Sequence, residues 1–248
     1  MTHGLITPDW PAPRNVRAAI TTRRFPGQSC APFDTFNLGA HVGDAPEVVA
    51  ANRLQLQVAL DLQQPIPWLN QVHGTAVHEH RSQEHSNIKA DACISRTPSA
   101  ACAVLTADCL PILLCTKSGD AVAAIHAGWR GLLNGVLEAC VLQLAASVEV
   151  IAYIGPGISA VAFEVGPEVR EAFLAHDPSA SVSFKAGLGD RFFADLGLLA
   201  RQRLQNIGVT RISESGRCTF TESETFYSHR RAGPRTGRFA SVVWLAPR

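Results

Sequence analysis

This sequence lacks several features that would assign it to a specialised class of protein. Methionine occurs only at position 1, so the chain has no other thioether for the axial position of a copper site. Residues 1–13 show neither the basic nor the apolar part of a secretion leader, and no later segment reaches the roughly 18 uninterrupted apolar residues of a membrane span. We therefore expect a soluble, cytoplasmic protein that has no membrane partner.

An excess of charge of one sign is also missing. The 248 residues include 22 lysines and arginines against 21 aspartates and glutamates, which gives a formal net charge of +1. No overall field draws such a protein to nucleic acid, and small molecules are the partners we expect. Oligomeric state leaves no recognisable pattern in the sequence, and a monomer is the simplest expectation.

The seven cysteines form no Cys-x-x-Cys pair, and their number is odd. Several of them lie in apolar runs that resemble buried strands or helices. We interpret most of them as packing residues of a protein in a reducing compartment.

The apolar pattern predicts a fold of the α/β class. With 46% apolar residues the chain can bury a substantial core, and its length suits one α/β domain. We expect a single domain over residues 1–248, of the mixed α+β kind, with layered mixed β-sheets flanked by helices. The predicted strands are Ala101–Leu105, Pro111–Cys115, Ala121–Ile125, Glu149–Ile154, Val209–Ser213 and Phe239–Leu245, and Trp68–Gly74 is predicted to be a short extended segment that ends in a polar turn. The predicted helices run from a cap at Asp44 to Leu60, from Leu132 to Leu144, from Gly166-Pro167 onward, and from Phe193 to Ile207.

Two histidines and one cysteine share a context that marks them as candidate metal ligands. His73, Cys109 and His126 each stand where an apolar run gives way to a turn, in NQVHG, TADCLP and IHAGWRG. Strand ends hold side chains rigidly, and the adjoining loops leave room for a ligand. Two imidazoles and one thiolate suit Zn²⁺, and three protein ligands leave a fourth position open, as in catalytic zinc sites.

The spacing of these three residues leaves two other interpretations open, because it lacks the tight pairing of a zinc finger. In the first, Cys109 is a buried packing residue and both histidines are hydrogen-bonded loop residues. In the second, Cys109 is a nucleophile that His126 activates, with Asp108 or Asn70 orienting the imidazole.

The motifs along the chain resemble those of the laccase-domain family, whose members are also called polyphenol oxidases and purine nucleoside phosphorylases. The resemblance runs from about Trp10 to Leu245 and includes FNLGAHVGD, ANR, NQVHG, TADCLP, HAGWRG, IGPGIS, FEVG, RCTFTESETFYS and TGR. It implies that His73, Cys109 and His126 hold a catalytic zinc, so that the thiolate is not free to attack. It also implies a fold similar to the cysteine-hydrolase-like fold of glutamine deamidases.

The activity that the resemblance implies is phosphorolysis of adenosine, inosine and S-methyl-5′-thioadenosine, with deamination of adenosine as a second reaction. The H-x-E and P-C-x-x-C deaminase pattern is absent, so deamination would use a different scaffold. The older family name implies a copper-dependent phenol oxidase, but nine histidines are fewer than the roughly ten that a four-copper oxidase needs. Cu²⁺ in place of zinc stays open, as do a cysteine amidohydrolase acting on cell-wall precursors and a zinc-stabilised binding module.

Polar residues in the same motifs are candidates for binding phosphate and ribose. These residues are Arg23, Asn37, His41, Arg53 and Gln71. A guanidinium binds phosphate through two hydrogen bonds, which favours the arginines, although Arg53 on a helix can equally pair with a carboxylate. Gln71 and Asp108 are further expected to orient the metal ligands. Four arginines near the C terminus form either an anion pocket or a solvated loop: Arg230, Arg231, Arg235 and Arg238.

Overall fold

The structure, a computed structural model, describes residues 4–80, 88–144 and 149–247. The strands are β1 (Leu5–Ile6), β2 (Val16–Thr21), β3 (Val77–Glu79), β4 (Ala92–Ser95), β5 (Cys102–Thr106), β6 (Leu110–Thr116), β7 (Val122–Ala127), β8 (Val150–Ile154), β9 (Glu164–Val165), β10 (Phe184–Ala186), β11 (Phe192–Ala194), β12 (Arg211–Glu214) and β13 (Phe239–Leu245). The helices are α1 (Pro46–Ala59), α2 (Trp129–Asn134), α3 (Val136–Leu144), α4 (Pro167–His176), α5 (Leu196–Asn206) and α6 (His229–Ala232), and a 3₁₀ helix spans Pro178–Ser183. Within the described residues, no helix has both the length and the apolar character that crossing a membrane requires.

Two β-sheets form the centre of the structure. The larger has six strands in the order β12-β8-β6-β7-β4-β3, with a parallel pair at each edge and antiparallel pairs between. The smaller is antiparallel and has four strands in the order β1-β2-β13-β5. A third sheet has the order β10-β11-β9. Residues 107–109 join β5 of the smaller central sheet to β6 of the larger one, and this crossing carries part of the candidate site.

The core has apolar layers on both faces of the central sheets. Successive side chains of a strand point to opposite faces. Along β6, Ile112 and Leu114 belong to the apolar cluster that also contains residues of helices α3, α4 and α5, whereas Leu113 and Cys115 belong to the cluster shared with the four-stranded sheet. The other face of that smaller sheet packs against Leu56 of α1. The resulting order of layers is helices, six-stranded sheet, four-stranded sheet and α1.

The predicted mixed α/β class, with mixed sheets flanked by helices, is confirmed. Helix α1 and strands β5, β6, β7, β8, β12 and β13 lie at or within a few residues of their predicted positions. The predicted single-domain organisation and the likeness to glutamine deamidases stay predictions.

The prediction of one helix from Leu132 to Leu144 is wrong, because Gly135 adopts a left-handed φ of 96° that ends α2 and separates it from α3. Phe193 was expected in a helix but lies in β11, where it pairs with β9 and β10. Helix α5 begins only after Asp195, whose carboxylate accepts a hydrogen bond from the backbone N of Leu198.

Two further local predictions also need correction. The cap of α1 is Ala45 rather than Asp44, since the Asp44 carboxylate accepts hydrogen bonds from Ser29 Oγ and Asn37 Nδ2. The extended segment predicted over residues 68–74 is not a strand. Within it, Asn70 alone forms an isolated bridge, to Lys89.

Candidate metal centre

Three side chains from separate parts of the chain meet at one end of the six-stranded sheet. His126 lies in β7 and Cys109 directly precedes β6, and the antiparallel register that pairs Leu110 with Ala127 brings them together. His73 comes from the turn before β3. One potential ligand atom from each of the three lies within 4.8 Å of the others, and His73 Nε2 is 3.8 Å from Cys109 Sγ. The structure thus brings all three predicted ligands into one cluster.

Asp91 holds the His126 side chain and the backbone of His73 in place. It directly precedes β4 and is fully buried. Its Oδ1 accepts hydrogen bonds from His126 Nδ1 at 2.8 Å and from the backbone N of His73 at 2.9 Å. Its Oδ2 accepts from the backbone N of Gly74 at 2.7 Å and of Val72 at 3.2 Å. Because His126 uses Nδ1 for Asp91, its Nε2 is left for a metal, which is the usual arrangement at metal sites.

The backbone around the cluster is unusual. His73 has a φ of 59° and Asp108 a φ of 96°, in the region that disfavours residues with a side chain, at a cost of about 1–3 kcal/mol each. Gly128 lies next to the ligands, where an added Cβ would be 2.7 Å from His73 Cδ2 and 3.0 Å from Cys109 Sγ. The close approach of the ligands therefore depends on the absence of a side chain at position 128.

The charges of the cluster favour a thiolate. Burial alone would raise the pKa of Cys109, but the neighbouring His126 and His73 outweigh burial and lower that pKa to about 6. Burial alone would lower the pKa of His126, but Cys109 and Asp91 outweigh it and raise that pKa to about 9. Both shifts favour the thiolate form of Cys109, which is the form that binds a metal, and metal binding would displace a proton from His126.

The donor set fits a metal ion. Two imidazoles and a thiolate are ligands that suit zinc, and three protein ligands leave one coordination position for water or substrate. The same donors also suit copper, which binds such sites more tightly than zinc. No other group of three or more His, Cys, Asp and Glu side chains among the described residues is close enough together to hold an ion.

A cavity of about 260 Å³ lies over the three ligands. This volume is slightly below the roughly 300–1,000 Å³ range of small-molecule sites. Its apolar lining consists of Leu105, Ala107, Ile158 and Phe163. Its polar lining, besides the three ligands, consists of His41, Gln71, Thr106, Asp108, His229, Arg230 and Arg238. A small molecule with both a flat apolar part and an anionic or polar part matches this lining.

Two of the predicted substrate contacts, His41 and Gln71, line this cavity. The prediction that Gln71 and Asp108 orient the metal ligands is wrong. The Gln71 amide exchanges two hydrogen bonds with the backbone of Leu105, each 2.8 Å long. The Asp108 carboxylate accepts from Thr219 Oγ1 and from the backbone N of Arg230. Both residues therefore fix loops of the cavity wall. Asp91, through its bonds to His126 Nδ1 and the backbone N of His73, is the residue positioned to orient candidate ligands.

The other predicted substrate contacts, Arg23, Asn37 and Arg53, are not among the described residues that line the cavity. Arg23 forms an ion pair with Asp34, at 2.9 Å. Asn37 and Arg53 hydrogen-bond to the backbone of residues 38–39. These three side chains already have protein partners, so they stabilise neighbouring loops and do not belong to the cavity lining.

Several residues of the site carried little signal in the sequence. Asp91 stands at a boundary between turn and strand, as do the three ligands, and that shared context was the available signal. Arg230 and Arg238 line the cavity, whereas Arg231 donates to backbone carbonyls of residues 219, 220 and 226. Phe163 comes from the loop before β9, and no spacing links it to the histidine and cysteine motifs.

This chain is similar to several known proteins. The family model described as multi-copper polyphenol oxidoreductase laccase matches residues 17–246. Purine nucleoside phosphorylase YfiH of Escherichia coli is 50% identical over 242 residues, which cover 97% of this chain and 98% of that protein. A purine nucleoside phosphorylase of Pseudomonas aeruginosa has the same identity and coverage. The crystal structure of a Neisseria meningitidis protein superposes with a TM-score of 0.92 at 45% identity, covering 98% of this chain and 100% of that one.

Proposed function

This chain belongs to the laccase-domain family, and we propose that it is a zinc-dependent purine nucleoside phosphorylase. It acts on adenosine, inosine and S-methyl-5′-thioadenosine with phosphate, and it deaminates adenosine in a second reaction. The observation that carries the proposal is the cavity over His73, Cys109 and His126, with its apolar and polar linings. Relatives named purine nucleoside phosphorylase, at 50% identity over nearly the whole chain, support it. The proposal includes a cytoplasmic, monomeric enzyme, one domain over residues 1–248, that binds neither nucleic acid nor membrane.

Phosphorolysis exchanges one bond for another at C1′ of the ribose. A phosphate oxygen forms a bond to C1′ while the bond from C1′ to the purine nitrogen breaks, and the base leaves with that electron pair. The proton that monohydrogen phosphate gives up balances the proton that the base takes. Positive charge develops on the sugar and negative charge on the base, so the site must hold an anion beside the sugar and stabilise the departing ring.

The residues of the cavity suit these requirements. The apolar wall of Leu105, Ile158 and Phe163 matches the face of a purine. The polar residues around it offer hydrogen-bond donors to an anion. Asp91 holds the imidazole of His126 and the backbone of His73, so the ligands need not rearrange during turnover. Zinc at His73, Cys109 and His126 would supply Lewis acidity and lower the pKa of water, the chemistry that deamination of adenosine needs.

Product analysis with a matched pair of cysteine variants tests the proposal. The purified protein is assayed for metal by mass spectrometry, then incubated with each nucleoside and phosphate. We expect about one zinc per chain, the free purine base and ribose 1-phosphate, and inosine formed from adenosine without phosphate. Cys109→Ala should abolish turnover, whereas Cys30→Ala, at an exposed cysteine outside the cavity, should not. Absence of free base with the wild type, or equal turnover in Cys109→Ala, contradicts the proposal. If the protein contains one copper ion per chain and no zinc, copper takes the place of zinc in the proposal.

A second candidate, a cysteine amidohydrolase, is favoured by one observation. The low pKa of Cys109, beside an imidazole that Asp91 orients, resembles the arrangement of a cysteine nucleophile and its base. The orienting residue would be Asp91, not Asp108 or Asn70. The test is metal content together with alkylation. A protein that contains no zinc, hydrolyses amide bonds of cell-wall precursors and loses this activity when iodoacetamide modifies Cys109 would establish the second candidate.

A further inference from the structure

One end of the cavity carries a concentration of positive charge. Arg238 and His41 line this end, and Arg53 lies close to His41. Burial lowers the pKa of His41, and Arg238 and Arg53 lower it further. Burial also lowers the pKa of Arg53 to about 10, but at neutral pH both guanidiniums stay charged. The guanidinium of Arg238 and the imidazole of His41 therefore meet at one end of the cavity, and the Arg53 guanidinium lies near His41 outside the cavity lining.

Carboxylates do not balance this charge. In the part of the chain that the structure describes, neither Arg53 nor Arg238 forms an ion pair. The Asp44 carboxylate is engaged by a serine hydroxyl, an asparagine amide and the backbone of residue 45. Burial lowers the pKa of Arg238, and the nearby Cys109 and Asp108 offset this only in part. The oxygens of Asp108 accept hydrogen bonds from a threonine hydroxyl and a backbone N–H. Half-buried positive charge without a carboxylate is a ready binding site for an anion.

The Arg238 side chain is held in position by contacts that leave donors available. Its Nη1 donates to the backbone carbonyls of residues 236–237, while its Nε and Nη2 make no hydrogen bond to a described residue. Asn37 Oδ1 accepts from the backbone N of Arg238, at 2.9 Å. Arg53 donates twice to the carbonyl of Leu38, at 3.0 and 2.8 Å. A Cβ on Gly39 would lie 2.8 Å from Arg238 Cγ, so the arginine passes closely over that glycine.

We propose that Arg238 and His41 form the phosphate-binding end of the cavity, and that Asn37 and Arg53 are positioning residues behind them. This assignment rests on the proposed phosphorylase function. Arg238 presents Nε and Nη2 to two phosphate oxygens, and the His41 imidazole donates to a third. The purine then lies toward Phe163, at the apolar part of the lining.

The other arginines are less suited to this role. Arg23 is neutralised by Asp34. Arg230 is exposed, and its Nη1 donates to the carbonyl of Glu164 while its guanidinium packs 5.3 Å from the ring centre of Phe163. We therefore assign Arg230 to ordering the wall that carries Phe163.

Steady-state kinetics of the zinc-loaded enzyme test the assignment. Arg238→Met removes the guanidinium, and Gly39→Ala keeps it but displaces it. Arg235→Met is the matched control, because Arg235 belongs to the same loop and does not line the cavity. Loss of charge-assisted hydrogen bonds should raise the KM for phosphate about tenfold or more in both cavity variants, with the KM for inosine changed less than about threefold. Arg235→Met should keep both values.

A direct binding measurement separates this assignment from the function on which it rests. Inorganic phosphate is titrated into each zinc-loaded protein by calorimetry, after circular dichroism has shown that the variants are folded. We expect binding to the wild type and to Arg235→Met, and at least about tenfold weaker binding to Arg238→Met and Gly39→Ala. If the wild type binds phosphate without forming free base, the phosphorylase function fails and the anion site stands. If Arg238→Met binds phosphate as tightly as the wild type, or the wild type binds none, the anion site is refuted.

Discussion

Replacing Asp91 with asparagine tests whether Asp91 orients the candidate metal ligands. The Asp91 oxygens accept four hydrogen bonds, two at each oxygen, at distances of 2.7–3.2 Å. Asparagine keeps the shape of the side chain but puts an NH₂ group where one oxygen was. Whichever way the amide turns, its NH₂ group then faces two N–H donors that had bonded to a carboxylate oxygen.

The expected loss of stability follows from those hydrogen bonds. Each lost hydrogen bond to the charged carboxylate is worth about 1.5–3 kcal/mol, so Asp91→Asn should destabilise the metal-free protein by about 3 kcal/mol or more. For a chain of this size, a loss of 3 kcal/mol lowers the melting temperature by about 6–12 °C. The zinc affinity should also fall by about 10–100-fold, as is common when the hydrogen-bond partner of a ligating histidine is removed.

Two measurements check this expectation. Differential scanning calorimetry of the metal-free protein gives the melting temperature, and competition with a chromophoric chelator gives the zinc affinity. Asp120→Asn is a matched control, since the Asp120 carboxylate bonds to Thr116 Oγ1 and does not line the cavity. If Asp91→Asn binds zinc within about threefold of the wild type, Asp91 does not orient the ligands and the reasoning fails.

Three further substitutions have expected outcomes. Gly128→Ala should push the ligands apart and lower zinc affinity by roughly tenfold or more, and a full zinc content at limiting free zinc would contradict this. Ile112→Ala, at a fully buried position, should cost about 2–5 kcal/mol in urea denaturation, whereas Val58→Ala, 73% exposed, should cost less than about 0.5 kcal/mol. Tyr227→Phe removes a buried hydroxyl that bonds to the backbone of residues 33–36, and should lower the free energy of unfolding by about 1–3 kcal/mol. An unchanged denaturation midpoint would show that these bonds contribute nothing.

The proposed phosphate-binding end joins two motif-bearing segments of this chain. The FNLGAH and TGR segments are about 200 residues apart in sequence, yet Asn37 of the first hydrogen-bonds to the backbone of Arg238 in the second. Sequence alone favoured Asn37 and Arg53 as direct contacts because they are polar and stand in motifs. The structure gives both of them backbone partners, whereas Arg238 lines the cavity and its Nε and Nη2 make no hydrogen bond to a described residue.

The strands and the candidate metal ligands could be predicted from the sequence to a large extent, because their signals are local. Apolar runs of five to seven residues between turns specify β6, β7 and β13, and His73, Cys109 and His126 each stand where such a run meets a turn. Element boundaries were less certain, because they depend on a backbone dihedral such as that of Gly135, which the apolar pattern does not record.

Tertiary structure decided which of the candidate polar residues reach the site. Asp91 reaches His126 because β4 pairs with β7, and Arg238 reaches the cavity because β13 pairs with β5, which leads into Cys109. Pairings between distant segments depend on sheet order and register, and neither is written in the residues next to a motif. The chemistry of the candidate ligands could therefore be predicted from the sequence, whereas the role of Asp91, and the choice of His41 and Arg238 among several candidate anion contacts, required the fold.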